Sequence, residues 1–385
     1  MIQHTRVREL NHDPAAADGK YVLYWMQASQ RTRCNYALEY AIGRANESDK
    51  PLLVCFGLMD DFPEANERHY AFLLDGLKDV HDGLTQRQIK FVVRHGQAYD
   101  AALHFGKQST LIVCDRGYTR HQKNWRDRVA DQAHRRVVQV ESDVVVPVDE
   151  VSQKHESAAR TIRPKIHRLW DQYLVELKPE KVKHSSLRLD VEGNLDVTQG
   201  RALLAKLKLD RSMQPVARFT GGEAAAQQLL ADFLKHDLPS YSTKRNDPGE
   251  QHSSTMSPYL HYGHVSPVEL ALAVKKQPGV PAADRDSYLE ELIVRRELSM
   301  NFCEFEPNYD QYEAIPGWAQ KSLAEHRNDK RPYLYTRRQL ESADTHDPYW
   351  NAAQTEMNRT GFMHNYMRMY WGKKILEWSP SPAEG

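Results

Sequence analysis

No run of apolar residues in this chain of 385 reaches the roughly 18 that a membrane-spanning helix requires. The N-terminal stretch MIQHTRVRELNHDP has no apolar core, so it does not read as a secretory signal. Cysteine is scarce. Cys34, Cys55, Cys114 and Cys303 lie far apart with no CxxC pair, which fits reduced thiols in a cytosolic protein and implies no metal site. Charge of one sign is not in excess: 52 Lys and Arg face 52 Asp and Glu, a formal net charge of zero. That argues against a protein that coats nucleic acid, but a local basic groove stays open. Internal repeats and low-complexity tracts are absent. So is a GxGxxG after the first apolar run, where WMQASQR stands, which excludes the usual dinucleotide fingerprint.

What is present is ordered along the chain. The length suggests two domains, and 40% hydrophobic with 27% charged residues is ordinary for a globular protein. Through residue 150 apolar runs alternate with helical patterns. Strands are predicted at Tyr21–Met26, Pro51–Leu58, Ile89–His95, Thr110–Asp115 and Val137–Glu141. Amphipathic stretches lie between them at Asn35–Ala45, His69–Gly83 and Trp125–Arg135. Such alternation implies a parallel sheet with helices on both faces. From 151 to 222 the pattern loosens into an interdomain linker. From 223 to 385 strand signals vanish, and helices are predicted at Glu223–Lys235, Pro267–Lys276, Ser287–Phe302 and Asn351–Glu377.

Four segments could carry chemistry. His346–Trp378 holds Trp350, Trp371 and Trp378 among many aromatic and basic residues. Trp371 and Trp378 are two turns apart on one helix face, roughly 10 Å along the axis. That spacing serves an electron relay or ordinary core packing. In His252–Pro267, the hydroxyls of Ser253, Ser254, Thr255 and Ser257 precede a helix. They could present donors to a phosphate or simply cap the helix. In Tyr288–Phe302, Glu290, Glu291, Arg295 and Glu297 have the spacing of a solvated ion-pair ladder. Arg327–Leu340 interleaves arginines with Tyr333 and Tyr335, which suits a nucleic-acid surface or a basic loop.

The words themselves go further. HDPYWNAAQ (His346–Gln354) and RMYWGKKILEW (Arg368–Trp378) closely resemble the flavin domain of class II cyclobutane pyrimidine dimer photolyases, of the photolyase/cryptochrome family. The resemblance continues through YVLYWMQASQR (Tyr21–Arg31), ARTIRPKI (Ala159–Ile166), KRNDP (Lys244–Pro248), SPYLHYGHVS (Ser257–Ser266) and EELIVRRELSMNFC (Glu290–Cys303). It implies an α/β antenna domain followed by an all-α domain that binds FAD. The implied activity is light-driven repair of pyrimidine dimers in double-stranded DNA by electron transfer from excited reduced FAD. An antenna pigment of folate or deazaflavin type would occupy the first domain. A monomer is expected, in the cytoplasm and on DNA: at the nucleoid in a bacterium or archaeon, in the nucleus in a eukaryote.

The same resemblance assigns roles. Tyr241, Ser253, Ser254, Thr255, Met256 and Ser257 fall where the family holds FAD, with the hydroxyls on its pyrophosphate. Arg368 falls beside the flavin ring. Glu291, with a raised pKa, would hydrogen-bond a thymine carbonyl of the lesion. Arg295 and Met369 would lie near the DNA. Trp371, Trp350 and Trp378 would relay electrons in that order, with Trp378 nearest solvent. The chain ends at Gly385, shortly after ILEW, where family members continue for several dozen residues that cover the flavin ring and the lesion. The expectation that follows is an incomplete C-terminus with weak flavin retention and weak repair. The alternatives are a flavin photoreceptor without repair and a flavin-poor DNA-binding remnant.

Overall fold

The computed structural model describes residues 2–250 and 252–385. Six strands form one sheet: β1 (Val7–Glu9), β2 (Tyr21–Trp25), β3 (Leu52–Leu58), β4 (Lys90–His95), β5 (Ser109–Asp115) and β6 (Arg136–Val140). Their order is β1-β6-β5-β2-β3-β4. All neighbours are parallel except β1, which runs antiparallel to β6 at the edge. Every residue of β2, β3 and β5 is buried, as expected of central strands covered on both faces. Helices Tyr36–Glu47, Glu67–Gln86, Ala98–Gly106 and Arg120–Gln132 supply the crossovers.

The chain runs from β2 out through β3 and β4, then returns to β5 on the other side of β2. The order therefore reverses beside the carboxyl end of β2, the usual place for a ligand crevice in such sheets. Asp115, at the end of β5, organises that point. Its Oδ2 accepts the N–H groups of Gln27, Ala28 and Ser29 at 2.9, 2.9 and 3.1 Å, and its Oδ1 accepts the Tyr24 hydroxyl at 2.9 Å. The N–H groups of Gln27, Ala28 and Ser29 are thus satisfied by a carboxylate and are not offered to a phosphate. Gly263 closes on the same loop. Its φ is +71°, and a Cβ there would sit 1.9 Å from the Ala28 carbonyl oxygen, so only glycine fits.

Contacts divide the chain into two compact units, which do not follow the boundaries at 150 and 222. The first comprises Met1–Pro215, Thr220–Pro239 and Ser254–Phe305; the second comprises Val216–Phe219, Ser240–Ser253 and Glu306–Gly385. Within the stretch read as loosened lies a 15-residue helix, Ala159–Tyr173, with Pro164 inside it. The helix predicted over Asn351–Glu377 is two helices, Pro348–Thr360 and Asn365–Trp378. Gly361 ends the first at φ +75°, its N–H donating to the Met357 carbonyl at 2.8 Å, and His364 caps the second. Ser287–Phe302 is likewise not uniform: Glu290–Arg295 is wound as a π-helix between α-helical Ala282–Leu289 and Arg296–Phe305. Among the described residues no helix is long and apolar enough to cross a membrane.

Candidate functional site

In the second unit, the word HDPYW starts a helix. Asp347 is the N-cap, accepting the N–H groups of Tyr349 and Trp350 at 2.9 and 3.0 Å, and Pro348 takes the first helical position. This fixes Trp350 on the first turn, 1% exposed. One turn on, the Gln354 side-chain oxygen accepts the Trp371 indole N–H from the next helix at 2.9 Å. Trp350 and Trp371 consequently stack, with centroids 5.6 Å apart and planes within 3°. Trp378 meets the same Trp350 ring edge-on at 5.4 Å and 64°. Trp350 is therefore the middle of the three, although Trp371 and Trp378 are the pair that share a helix.

One feature of that array differs from expectation. Trp378, expected nearest solvent, is only 2% exposed. Tyr335 and His346 lie against it, each with its centroid at 5.4 Å, and Lys374 reaches over it. Arg331, read as part of a basic surface, donates instead to the Leu376 and Glu377 carbonyls at 3.0 and 2.7 Å, at the C-terminal end of the helix that carries Trp378. Arg368 is exposed and donates to Asn365 Oδ1 at 3.3 Å, and Met369 is half exposed. Tyr241 is buried in this unit, with the Arg245 guanidinium 5.7 Å from its ring, and Ser253 is half-buried.

In the first unit, Ser254, Thr255, Met256 and Ser257 precede a single helical turn, Ser257–His261. The bland reading of a side-chain cap does not hold: Met256 is the N-cap and no side chain caps the turn. Ser254 Oγ accepts only a long 3.4 Å contact from the Met256 N–H. Thr255 has φ +49°, a strained setting for a β-branched residue. Among the described residues, the hydroxyls of this segment are thus hardly used.

Glu291 is half-buried within the π-helical turn, and Arg295 is exposed. The extra residue in that turn shifts the ion pairs. Arg295 bonds Glu290 at 3.2 Å, and Glu290 also takes a two-point pair from Arg163 at 2.7 and 3.0 Å. Those arginines, Arg163 first, hold the Glu290 carboxyl below its ordinary range. Glu297 is no part of a solvated ladder. It is 2% exposed, and its carboxyl oxygens accept the N–H groups of Val145 and Val146.

A cavity of about 520 Å³ opens in the first unit at the carboxyl ends of β2, β3 and β5. Ser257 is the only residue assigned from the sequence that lines it. Its walls include Phe56, Tyr70, Tyr118, Trp125 and Met300. Two buried acceptors at the wall have no donor among the described residues: Gln30 Oε1 and Asp143 Oδ1. Arg296 occupies the other Asp143 oxygen at 2.7 Å. Burial, offset in part by Arg296, raises the Asp143 pKa. The strand ends were legible in the sequence, but the crevice was not, because the strand order is written in no single segment.

The family model described as DNA photolyase matches residues 22–183. A deoxyribodipyrimidine photo-lyase of Methanothermobacter thermautotrophicus is 45% identical over 383 residues, covering 100% of this chain and 84% of its own length. One of Arabidopsis thaliana is 38% identical over 376 residues, covering 94% and 75%. The structure of an archaeal photolyase from Sulfolobus tokodaii with two FAD molecules matches with a TM-score of 0.67 at 16% identity, covering 92% of this chain and 74% of that one. At that identity the structural likeness establishes the fold alone, that of photolyases and cryptochromes. The chain belongs to the DNA photolyase family.

Proposed function

We propose that this protein is a class II photolyase that splits cyclobutane pyrimidine dimers in double-stranded DNA, acting as a monomer. The observation that carries the reading is the 45% identity to a deoxyribodipyrimidine photo-lyase along the entire chain. The class II assignment adds the indole array: Trp371, Trp350 and Trp378 stand on the HDPYW and RMYW helices in continuous ring contact.

FAD is the cofactor this family implies. When bound in its reduced form it supplies, under light, the electron that opens the dimer and then returns. The residues present fit it. The hydroxyls of Ser253, Ser254, Thr255 and Ser257 are little used by the chain itself and suit a pyrophosphate, and Arg368 supplies a positive charge suited to an anionic ring. Met256 and Tyr241, each buried in its own unit, are the apolar residues assigned to FAD. The lesion must leave the duplex stack to reach such a site. Glu291, in its protonated form, then donates to a thymine carbonyl, and Arg295 and Met369 contact the DNA strand. The three indoles return an electron whenever the cofactor has been oxidised.

The cavity of the first unit is the seat of the antenna pigment. About 520 Å³ suits a tricyclic or bicyclic heterocycle, and the unpaired Gln30 and Asp143 oxygens call for a ligand that brings N–H donors. A folate and a deazaflavin both qualify. By function the chain divides into an antenna segment over 1–150, a connection over 151–222 and an FAD-binding segment over 223–385.

Two measurements test this reading. The protein charged with reduced FAD should split dimers in duplex DNA under near-UV or blue light and not in the dark. Flavin that binds and photoreduces without any dimer splitting would overturn the repair reading. Ser254→Ala with Ser257→Ala should lower the flavin-to-protein ratio at least about tenfold, since each bond to a charged group is worth about 1.5–3 kcal/mol. An unchanged ratio would remove the serines from the cradle.

A further inference from the structure

The helix that carries Glu291 changes its winding at that residue. It is α-helical over Ala282–Leu289, wound as a π turn over Glu290–Arg295, and α-helical again over Arg296–Phe305. The Arg296 N–H donates to the carbonyls of Glu291 and Ile293, and the first of these lies five residues back. The turn therefore holds one residue more than an α-helix accommodates. The side chains agree. Arg295 bonds Glu290 at 3.2 Å, a pairing five residues apart, whereas α winding brings together residues three or four apart. Winding of this kind is rare and occurs mostly as single turns inside α-helices, often at functional sites.

Both ends of the turn are pinned within the first unit. On the C-terminal side, Arg296 donates to the Asp143 carbonyl at 2.6 Å and to Asp143 Oδ2 at 2.7 Å, and Glu297 accepts the N–H groups of Val145 and Val146. On the N-terminal side the pin is Glu290. Its two oxygens accept separate bonds from the Arg163 guanidinium, at 2.7 and 3.0 Å, and Arg163 stands on another helix, Ala159–Tyr173. The pair is half-buried, two-pointed and shared with Arg295, which is the geometry in which a partly exposed ion pair counts. Arg295 cannot replace Arg163 in this, because it belongs to the same turn and moves with it.

We propose that Arg163 is a positioning residue for lesion recognition, holding Glu290 so that the π turn persists and the adjacent Glu291 stays aimed. This rests on reading Glu291 as the residue that hydrogen-bonds a thymine carbonyl of the dimer. Without Arg163 the C-terminal pin remains and the N-terminal one is gone. The turn then sheds its extra residue by rewinding as α-helix, which rotates the part before it by up to one residue's step, roughly 100°. Tyr288 and Leu289 are buried and oppose the full rotation. A fraction of it still carries the Glu291 carboxyl out of the narrow range of distance and angle that a hydrogen bond allows. The alternative, that Arg163 only staples one helix to another, gives a loss of stability with no bearing on the lesion.

The test compares the full chain with Arg163→Gln, Glu290→Gln, Glu291→Leu and the double variant Arg163→Gln with Glu291→Leu. Each is charged with FAD and titrated in the dark with a duplex carrying one thymine dimer and with the same duplex undamaged. Arg163→Gln and Glu290→Gln should each weaken dimer binding by about tenfold, the upper worth of one neutral hydrogen bond, with flavin content and binding of the undamaged duplex unchanged. In the Glu291→Leu background Arg163→Gln should add nothing, since a residue that acts through Glu291 has no effect once Glu291 is gone. Amide hydrogen exchange of the flavin-free chain gives a readout independent of cofactor and DNA: Arg163→Gln should alter it over residues 290–296. Unaltered exchange there would overturn the proposal. So would equal losses with and without Glu291, or unchanged dimer binding in Arg163→Gln while Glu291→Leu weakens it, and each of these leaves the lesion reading standing. Unchanged dimer binding in Glu291→Leu would overturn both.

Discussion

Trp350→Phe is expected to abolish photoreduction of bound oxidised flavin on the timescale of the unaltered protein, with Trp371→Phe doing the same. Trp350 is the only ring that touches both of the others, so its loss opens a gap in the middle of the array. Phenylalanine is far harder to oxidise than indole and cannot carry the missing electron. It keeps most of the apolar area, and truncation to alanine, at about 3–5 kcal/mol for a buried aromatic, is avoided. The lost Nε1 bond to the Leu340 carbonyl is long, at 3.4 Å, and its removal costs little. Flavin content and thermal midpoint should therefore stay close to those of the unaltered protein while photoreduction, followed by loss of the oxidised flavin absorption under light and external reductant, stops. Dimer splitting by protein supplied with chemically reduced flavin should persist. Normal photoreduction in Trp350→Phe would show that the stacked indoles are core packing.

How much of this was legible beforehand depended on what each residue's role required of its neighbours in sequence. The three central strands stand out because a strand buried on both faces must be apolar throughout, as in LLVCFGL. β1 did not, because Val7–Glu9 is a three-residue edge strand that needs no apolar run. Helix Ala159–Tyr173 was hidden by Pro164 and by its many basic residues. The break at Gly361 sits inside a strongly aromatic stretch that masks it, yet it is what lets Trp350 fold back between Trp371 and Trp378. Tyr335 and His346 were separately visible, one as part of a basic loop and one as the start of a motif. Their pairing depends on an 11-residue separation that no periodicity signals. Glu297 looked like a surface charge because its partners, Val145 and Val146, lie 152 and 151 residues away.

Glu297 leads to the second large effect, a fall in stability as pH rises. Burial pushes its pKa up to about 8, against the opposing pull of the Val145 and Val146 N–H groups and of Arg296 and Arg6. The groups facing it are therefore two backbone donors, an arginine already paired with Asp143, and Arg6, whose guanidinium donates to the carbonyls of Glu141, Val144 and Val145. An unfolded glutamate ionises near 4.5. Between those two values the folded chain keeps a proton that the unfolded chain has lost. Stability then declines with pH, by at most about 1.4 kcal/mol per unit, and the decline ends once both states are ionised above about 8. Buried His264 works the other way. Burial lowers its pKa to about 3, so the unfolded chain binds a proton below 6.5 that the folded chain refuses, and stability falls toward acid. Glu297→Gln isolates the first effect, since glutamine resembles the protonated acid and does not titrate. Urea midpoints of the two proteins should converge near pH 5, and by pH 8 the Gln variant should be the more stable. Parallel pH profiles for the two would mean that Glu297 is ionised in the folded protein across that range.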